Sequence, residues 1–105
     1  MILPDDLVQW KPSQNLLSGV YSHFFSWANV NRAVLELRNA IGTVLYWDKY
    51  ANIQVMWFHP IYTAILEEIR IHEPPGRYAE LDGFIDYRGP YNRILWPRFC
   101  DVRKV

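Results

Sequence analysis

The chain has 105 residues, enough for one domain with a core of modest size. Eleven basic and eleven acidic residues cancel, which argues against nucleic acid as a partner, because phosphate binding needs a surplus of Lys and Arg. The single cysteine, Cys100, excludes an internal disulfide framework and a cysteine-based zinc site. Aromatic residues make up 16% of the chain, so either the core is unusually aromatic or some rings face a partner or lipid.

The first half of the chain predicts an arm followed by a helix. Residues 1–15 contain Pro4 and Pro12 and predict an extended arm, because proline fixes φ and removes a backbone donor. Residues 16–47 predict an amphipathic helix with one apolar stripe of spacing three and four: Val20, Phe24, Trp27, Val30, Val34, Leu37, Ile41 and Val44. Its mildly polar opposite face is typical of a helix that lies against a larger hydrophobic body or along a membrane surface.

Residues 48–71 predict a second helix, which is apolar nearly all round. No charged residue occurs between positions 50 and 66, so this segment is expected to be buried either in lipid or in protein. Pro60 predicts a kink, because it removes one backbone hydrogen bond of the helix. A bilayer requires about 20 apolar residues, so the segment is only marginally long enough to span one.

Residues 72–105 differ in character, because Pro74, Pro75 and Gly76 end the helix. They predict an extended tail, rich in proline, glycine and aromatic residues, that wraps over a partner. A small hairpin packed on the helices, with Gly83 or Gly89 at its turn, is a nearly equal alternative. The predicted fold class is therefore mainly α, with a kinked apolar, possibly transmembrane helix between the amphipathic helix and the tail.

The sequence contains no recognisable catalytic, cofactor-binding or metal-binding motif. The three histidines lack metal-ligand spacing, and no glycine-rich phosphate loop is present. A small enzyme that uses His72, Glu73 or Cys100 is a third hypothesis, which nothing positive favours. We therefore predict a protein that is not itself an enzyme, with no cofactor and no metal site.

The segment 46–53 resembles the motif at the start of the membrane helix in subunit f of the mitochondrial ATP synthase. In that family an aromatic pair is followed by a polar residue, Lys-Tyr, a variable residue, Asn and a branched aliphatic residue. The matching positions here are Tyr46, Trp47, Asp48, Lys49, Tyr50, Asn52 and Ile53. The resemblance implies a non-catalytic accessory subunit of the membrane sector, in the mitochondrial inner membrane, that supports assembly, dimerisation and proton translocation.

Two non-catalytic functions are therefore favoured over the hypothesis of a small enzyme. The first is an accessory subunit of a mitochondrial membrane complex, preferably ATP synthase, with other subunits and membrane lipid as partners. The second is a soluble scaffold or assembly subunit whose apolar helices are buried by partner chains. The residues expected at the membrane interface are Tyr46, Trp47, Lys49, Tyr50, Asn52 and Trp57.

Overall fold

The centre of the fold is an antiparallel sheet. The computed structural model describes residues 1–12, 27–47, 53–72, 79–81, 84–87 and 89–105. Four strands form the main sheet in the order β3-β2-β1-β6, and β4 and β5 form a separate hairpin. The strands are β1 Leu7–Trp10, β2 Ile41–Trp47, β3 Ile53–Trp57, β4 Ala79–Leu81, β5 Phe84–Asp86 and β6 Val102–Lys104.

Helices pack against one face of the main sheet. They are α1 Val30–Glu36, α2 Ile61–His72 and the single turn α3 Asn92–Leu95, and a 3-10 turn, Phe99–Asp101, precedes β6. The prediction of a mainly α protein is therefore wrong. Among the described residues, no helix combines the length and the apolar character that crossing a membrane requires.

The predicted helix over 16–47 is wrong after Leu37, and its residues 16–26 lie outside the described part of the chain. Helix α1 ends at its C-cap Leu37, and Asn39 then adopts a left-handed conformation with φ of 62°, which asparagine tolerates better than most residues. The following residues, IGTVLYW, are rich in β-branched and aromatic side chains and form β2. Ile41 and Val44 are three residues apart, so they also match the spacing of a helix face. A short apolar run is compatible with both helical and strand periodicity, and here it forms a strand.

The predicted helix over 48–71 divides into a strand and a shorter helix. Residues Ile53–Trp57 form β3, and α2 begins only at Ile61. Pro60 precedes the helix instead of kinking it, which is where its missing N–H costs nothing. The imidazole Nδ1 of His59 accepts the N–H of Ile61 at 3.0 Å, so this histidine satisfies one donor at the start of α2.

The predicted arm and tail both belong to the folded unit. Strand β1 lies inside the sheet, where it pairs with β2 on one side and with β6 on the other. The region after Pro74 contributes the β4–β5 hairpin, in which Ala79 pairs with Asp86, as the alternative to an extended tail predicts. It also contributes five core side chains: Tyr87, Tyr91, Ile94, Leu95 and Val102.

The core lies between the inner face of the sheet and the helices. Its sheet residues include Val8, Trp10, Val44, Val55 and Trp57, and its helix residues include Val30, Ala33, Val34, Ile61, Ile65, Ile69, Ile94 and Leu95. A Cβ added at Gly42 would lie 2.6 Å from the carbonyl oxygen of Met56 and 2.8 Å from Cε3 of Trp57. Glycine at position 42 therefore leaves room for the indole of Trp57, whose ring centroid lies 6.3 Å from that of Trp10.

Candidate interaction surface

The outer face of the sheet, opposite the helices, is built by strand alternation. Leu7 pairs with Thr43, and Thr43 pairs with Met56, so these three side chains form one row across the strands. A second row, two residues along, contains Gln9, which pairs with both Ile41 and Arg103. Side chains in both rows point away from the helices, because the residues between them belong to the core.

Two backbone hydrogen bonds add one residue to each row, Phe58 beside Ile41 and Val105 beside Leu7. The N–H of Phe58 donates to the carbonyl of Ile41 at 2.8 Å, and the N–H of Val105 donates to the carbonyl of Leu7 at 3.0 Å. Alternation places both side chains on the outer face. The outer patch is defined here as the apolar residues of the two rows: Leu7, Ile41, Met56, Phe58 and Val105.

The outer patch is exposed to an unusual degree for apolar side chains on neighbouring strands. Ile41 retains 39% of its accessible surface, Leu7 44%, Phe58 57% and Val105 66%. An antiparallel sheet with one face in solvent normally carries polar residues on that face. Scattered apolar side chains on a surface need no explanation, but a contiguous group of them indicates an interaction site.

The edges of the outer patch carry polar and charged groups. Gln9 Nε2 donates to the carbonyl of Asn39 at 2.9 Å, and Arg103 beside it is exposed. Lys104 instead pairs with Val8 of the inner face, and its Nζ lies 3.3 Å from a carboxylate oxygen of Asp6, so this ion pair does not belong to the outer patch. The N–H of Leu3 and then Lys104 lower the pKa of the Asp6 carboxyl. Apolar residues with a polar rim are the usual anatomy of a protein–protein interface.

The predicted interface residues do not form one group in this structure. Tyr46 and Trp47 end β2 and are 44% and 38% exposed, and the ring of Tyr46 meets that of Trp96 edge-on at 5.9 Å. Trp57 is instead a core residue, 2% exposed, whose Nε1 donates to the carbonyl of Ile94 at 3.0 Å. The remaining three predicted residues lie outside the described part of the chain: Lys49, Tyr50 and Asn52.

A second group of polar residues is buried on the helix side of the sheet. The carboxyl of Glu68, which is 7% exposed, accepts a hydrogen bond from the hydroxyl of Tyr91 at 2.8 Å. It also accepts the N–H of Asn29, just before α1, at 3.1 and 3.2 Å from its two oxygens. Both oxygens of Glu68 are thus occupied, and the group joins α1, α2 and the segment before α3.

Of the three residues considered for catalysis, two lie in the described part of the chain, His72 and Cys100. His72 stacks on Trp27, with ring centroids 4.3 Å apart, and Cys100 is an exposed free thiol. Glu73 lies outside the described residues. Within the described part of the chain, no three His, Cys, Asp or Glu residues are grouped so that they could hold a metal ion.

The outer patch was missed because its signal is weak in the sequence. Strand β1 is only four residues long, and its alternation of Leu7 and Gln9 with Val8 and Trp10 is hidden between prolines 4 and 12. Phe58 and Val105 reach the face only through hydrogen bonds just beyond strand ends. Knowing which face is inner requires the helices, which the sequence pattern placed incorrectly.

Comparison of the chain with protein-family models, with curated proteins and with solved structures found no match in any of the three.

Proposed function

We propose that the protein is a non-catalytic assembly or scaffold subunit that binds a protein partner through the outer patch. The observation that carries this proposal is the exposure of four apolar side chains, two on strands β1 and β2 and two directly after β3 and β6: Leu7, Ile41, Phe58 and Val105. Covering the exposed part of such side chains is worth on the order of 1 kcal/mol each, so a partner that does so gains a few kcal/mol.

The arrangement supports a protein partner in two further ways. The patch is presented by a hydrogen-bonded sheet, so its side chains are held in place before a partner binds, which lowers the entropy lost on association. Its rim carries Gln9 and Arg103, which supply hydrogen bonds and charge for orientation. The buried group around Glu68 has its acceptors filled by the protein itself, which is expected of a structural role.

The experiment is site-specific photo-crosslinking in the source cells. A photoreactive side chain at Phe58 is compared with the same side chain at Thr63, an exposed position on α2, on the other side of the sheet. We expect adducts of defined mass with protein from position 58 and a much lower yield from position 63. Equal yields from the two positions, or no protein adduct from position 58, would contradict the proposal.

The complex to which the protein belongs is a separate proposal. The resemblance at 46–53 points to the membrane sector of the mitochondrial ATP synthase, and exposed Tyr46 and Trp47 are the kind of side chains found at membrane surfaces. Native electrophoresis of mitochondrial membranes in mild detergent tests this membership. Co-migration with ATP synthase supports it, and migration with another complex or none of them overturns it.

A further inference from the structure

We infer that the partner of the outer patch is an acidic protein segment, whose Asp or Glu side chains meet two cations at one end of the patch. This inference rests on the proposed function, because it names the chemistry of the partner at the same surface. The two cations are Lys11 and Arg103, called the cationic pair here. Both are exposed, and neither takes part in an ion pair with a described residue.

The cationic pair lies on the same face of the sheet as the outer patch. Arg103 pairs with Gln9 across β6 and β1, and its neighbour Val102 belongs to the core on the opposite face. Lys11 follows Gln9 by two residues, and its N–H donates to the carbonyl of Asp101 at 2.7 Å, so the strand alternation continues as far as Lys11. Diagonal neighbours of this kind on adjacent strands lie about 7–8 Å apart, so one acidic segment can reach both cations.

Asn39 holds the polar side chains at this end of the patch. Its Oδ1 accepts a hydrogen bond from Nζ of Lys11 at 2.5 Å, and its carbonyl oxygen accepts one from Nε2 of Gln9 at 2.9 Å. The side chains of Gln9 and Lys11 therefore share the face that alternation assigns to them. A lysine ammonium has three donors, so Lys11 retains two for a carboxylate. A side chain that is held before binding loses less entropy when a partner arrives.

The acids described near the cationic pair do not balance its charge. Asp101 is 2% exposed, and its carboxylate already forms an ion pair at 3.2 Å. Asp6 is paired with Lys104, away from the outer patch. Asp5 lies before β1 in a left-handed conformation, with φ of 71°, at the end of that strand remote from the cationic pair. The outer face therefore combines apolar side chains with a positive end, which is complementary to an apolar surface with a negative end.

The small number of cations favours a protein over a membrane or a nucleic acid. Recognition of anionic lipid surfaces typically uses clusters of about four to eight Lys and Arg residues. Nucleic acid requires a surplus of basic residues, and this chain has equal numbers of basic and acidic residues. A carboxylate needs only one or two cations to form charge-assisted hydrogen bonds, and the apolar side chains beside them contribute the hydrophobic part of the binding free energy.

The row of residues that contains Arg103 also specifies the spacing of groups in the partner. From Arg103 the row continues across the sheet through Gln9 and Ile41 to Phe58. Neighbouring strands are about 4.8 Å apart, so the row is about 14 Å long. An extended chain rises about 3.3 Å per residue. A partner segment that crosses the strands along this row is therefore expected to carry its acid about four residues from the side chain that covers Phe58.

Photo-crosslinking with charge variants tests the chemistry of the partner. The photoreactive side chain stays at position 58, and its protein adducts in the source cells are compared for the unaltered chain, Arg103→Glu and Lys11→Glu. We expect each charge reversal to lower the adduct yield about tenfold, because it places a like charge opposite the acid of the partner. Arg103→Lys keeps the charge and should retain most of the yield. Arg93→Glu reverses an exposed charge on α3 and is the matched control, which should leave the yield unchanged.

A charge exchange with the captured partner makes this test specific. Mass spectrometry of the adduct identifies the partner segment, and changing its acid to Lys should restore the adduct yield of Arg103→Glu to within about threefold of the original. A salt series on the unaltered chain does not depend on any variant. In a lysate the yield should fall as NaCl is raised from about 50 to 300 mM, because salt screens exposed charges. Melting temperatures of the purified variants identify any that are not folded.

The outcomes separate this inference from the proposed function. If position 58 yields a protein adduct that is no more sensitive to the two reversals than to Arg93→Glu, or a partner segment without Asp or Glu, the inference is wrong and the proposed function stands. If position 58 of the unaltered chain yields no protein adduct, the proposed function fails and the inference fails with it. Sedimentation of that chain with vesicles containing phosphatidylserine would then identify the face as a membrane-binding surface.

Discussion

The two faces of one sheet differ more in what covers them than in how apolar they are. The inner face carries Val8, Trp10, Val44, Val55 and Trp57, all at most 2% exposed beneath the helices. The outer face carries an apolar group of comparable character that keeps between 39% and 66% of its surface for the four most exposed side chains. Hydrophobic character alone thus does not identify the core of this molecule. The side on which the helices pack decides it.

Adjacent residues at the end of β3 give the sharpest form of this comparison. Trp57→Ala removes a buried indole and its hydrogen bond to the carbonyl of Ile94, and should lower the free energy of unfolding by about 3–5 kcal/mol. Phe58→Ala, one residue further on the outer face, should change it by less than about 1 kcal/mol. Urea unfolding of both variants at low concentration measures the difference. Similar losses for the two variants would mean that Phe58 is part of the core.

The same comparison holds within β2. Gly42→Ala would place a Cβ 2.6 Å from the backbone oxygen of Met56, so β2 and β3 must shift, and we expect a loss of about 1–3 kcal/mol in unfolding free energy. Thr43→Val keeps a β-branched side chain on the outer face and should stay within about 0.5 kcal/mol. Thermal unfolding of the pair checks this. An unaltered melting temperature for the alanine variant would show that the two strands can separate at that point without cost.

The buried hydroxyl of Tyr91 gives the smallest of the three effects. Tyr91→Phe removes its hydrogen bond to Glu68 and should lower the free energy of unfolding by about 1–2 kcal/mol at neutral pH. No such loss is expected for Thr63→Ser, because Thr63 is exposed on α2. Chemical unfolding of the two variants measures this, and equal effects would contradict the buried role of Tyr91.

The same residue makes stability depend on alkaline pH. Burial raises the pKa of Tyr91 above its ordinary value of 10.0, and the hydrogen bond and charge of Glu68 raise it further. The unfolded chain therefore releases the phenolic proton first, so the contribution of Tyr91 is complete below pH 10 and falls as the pH rises beyond it. Tyr91→Phe should make the decline above pH 10 less steep. An unchanged slope would show that other groups cause the alkaline loss.

The local spacing of apolar residues correctly predicted parts of two helices and the faces that they bury. Ile61, Ile65 and Ile69, predicted on one helix face, are buried on α2, and Val30, Val34 and Leu37 are buried at α1 and its C-cap. Apolar spacing of three and four predicts a helix correctly where charged residues occupy the opposite face, as Glu67 and Arg70 do on α2. For the last third of the chain, Gly83 likewise predicted a hairpin turn as the alternative to an extended tail.

The main sheet could not be predicted for reasons of length and distance. Strands β1, β3 and β6 have four, five and three residues. In strands this short, the alternation of apolar and polar residues is too brief to distinguish a strand from a helix. The uncharged segment 50–66 suggested one buried helix because burial in a sheet core and burial in lipid select the same residues. The outer patch depends on which strands become neighbours, and that pairing joins residues remote from one another in the sequence.

The pairing of β1 with β6 has a consequence for the order in which the fold is completed. Val8 pairs with Lys104, so a contact at the centre of the sheet joins residues remote from one another in the sequence. During synthesis β1 has an open edge until β6 leaves the ribosome, since β6 is made after the other strands of the sheet. Folding dominated by such distant contacts is slow. In that interval the unpaired edge of β1 and the apolar outer face are exposed together, and this newly made chain is the state most exposed to aggregation and to capture by chaperones.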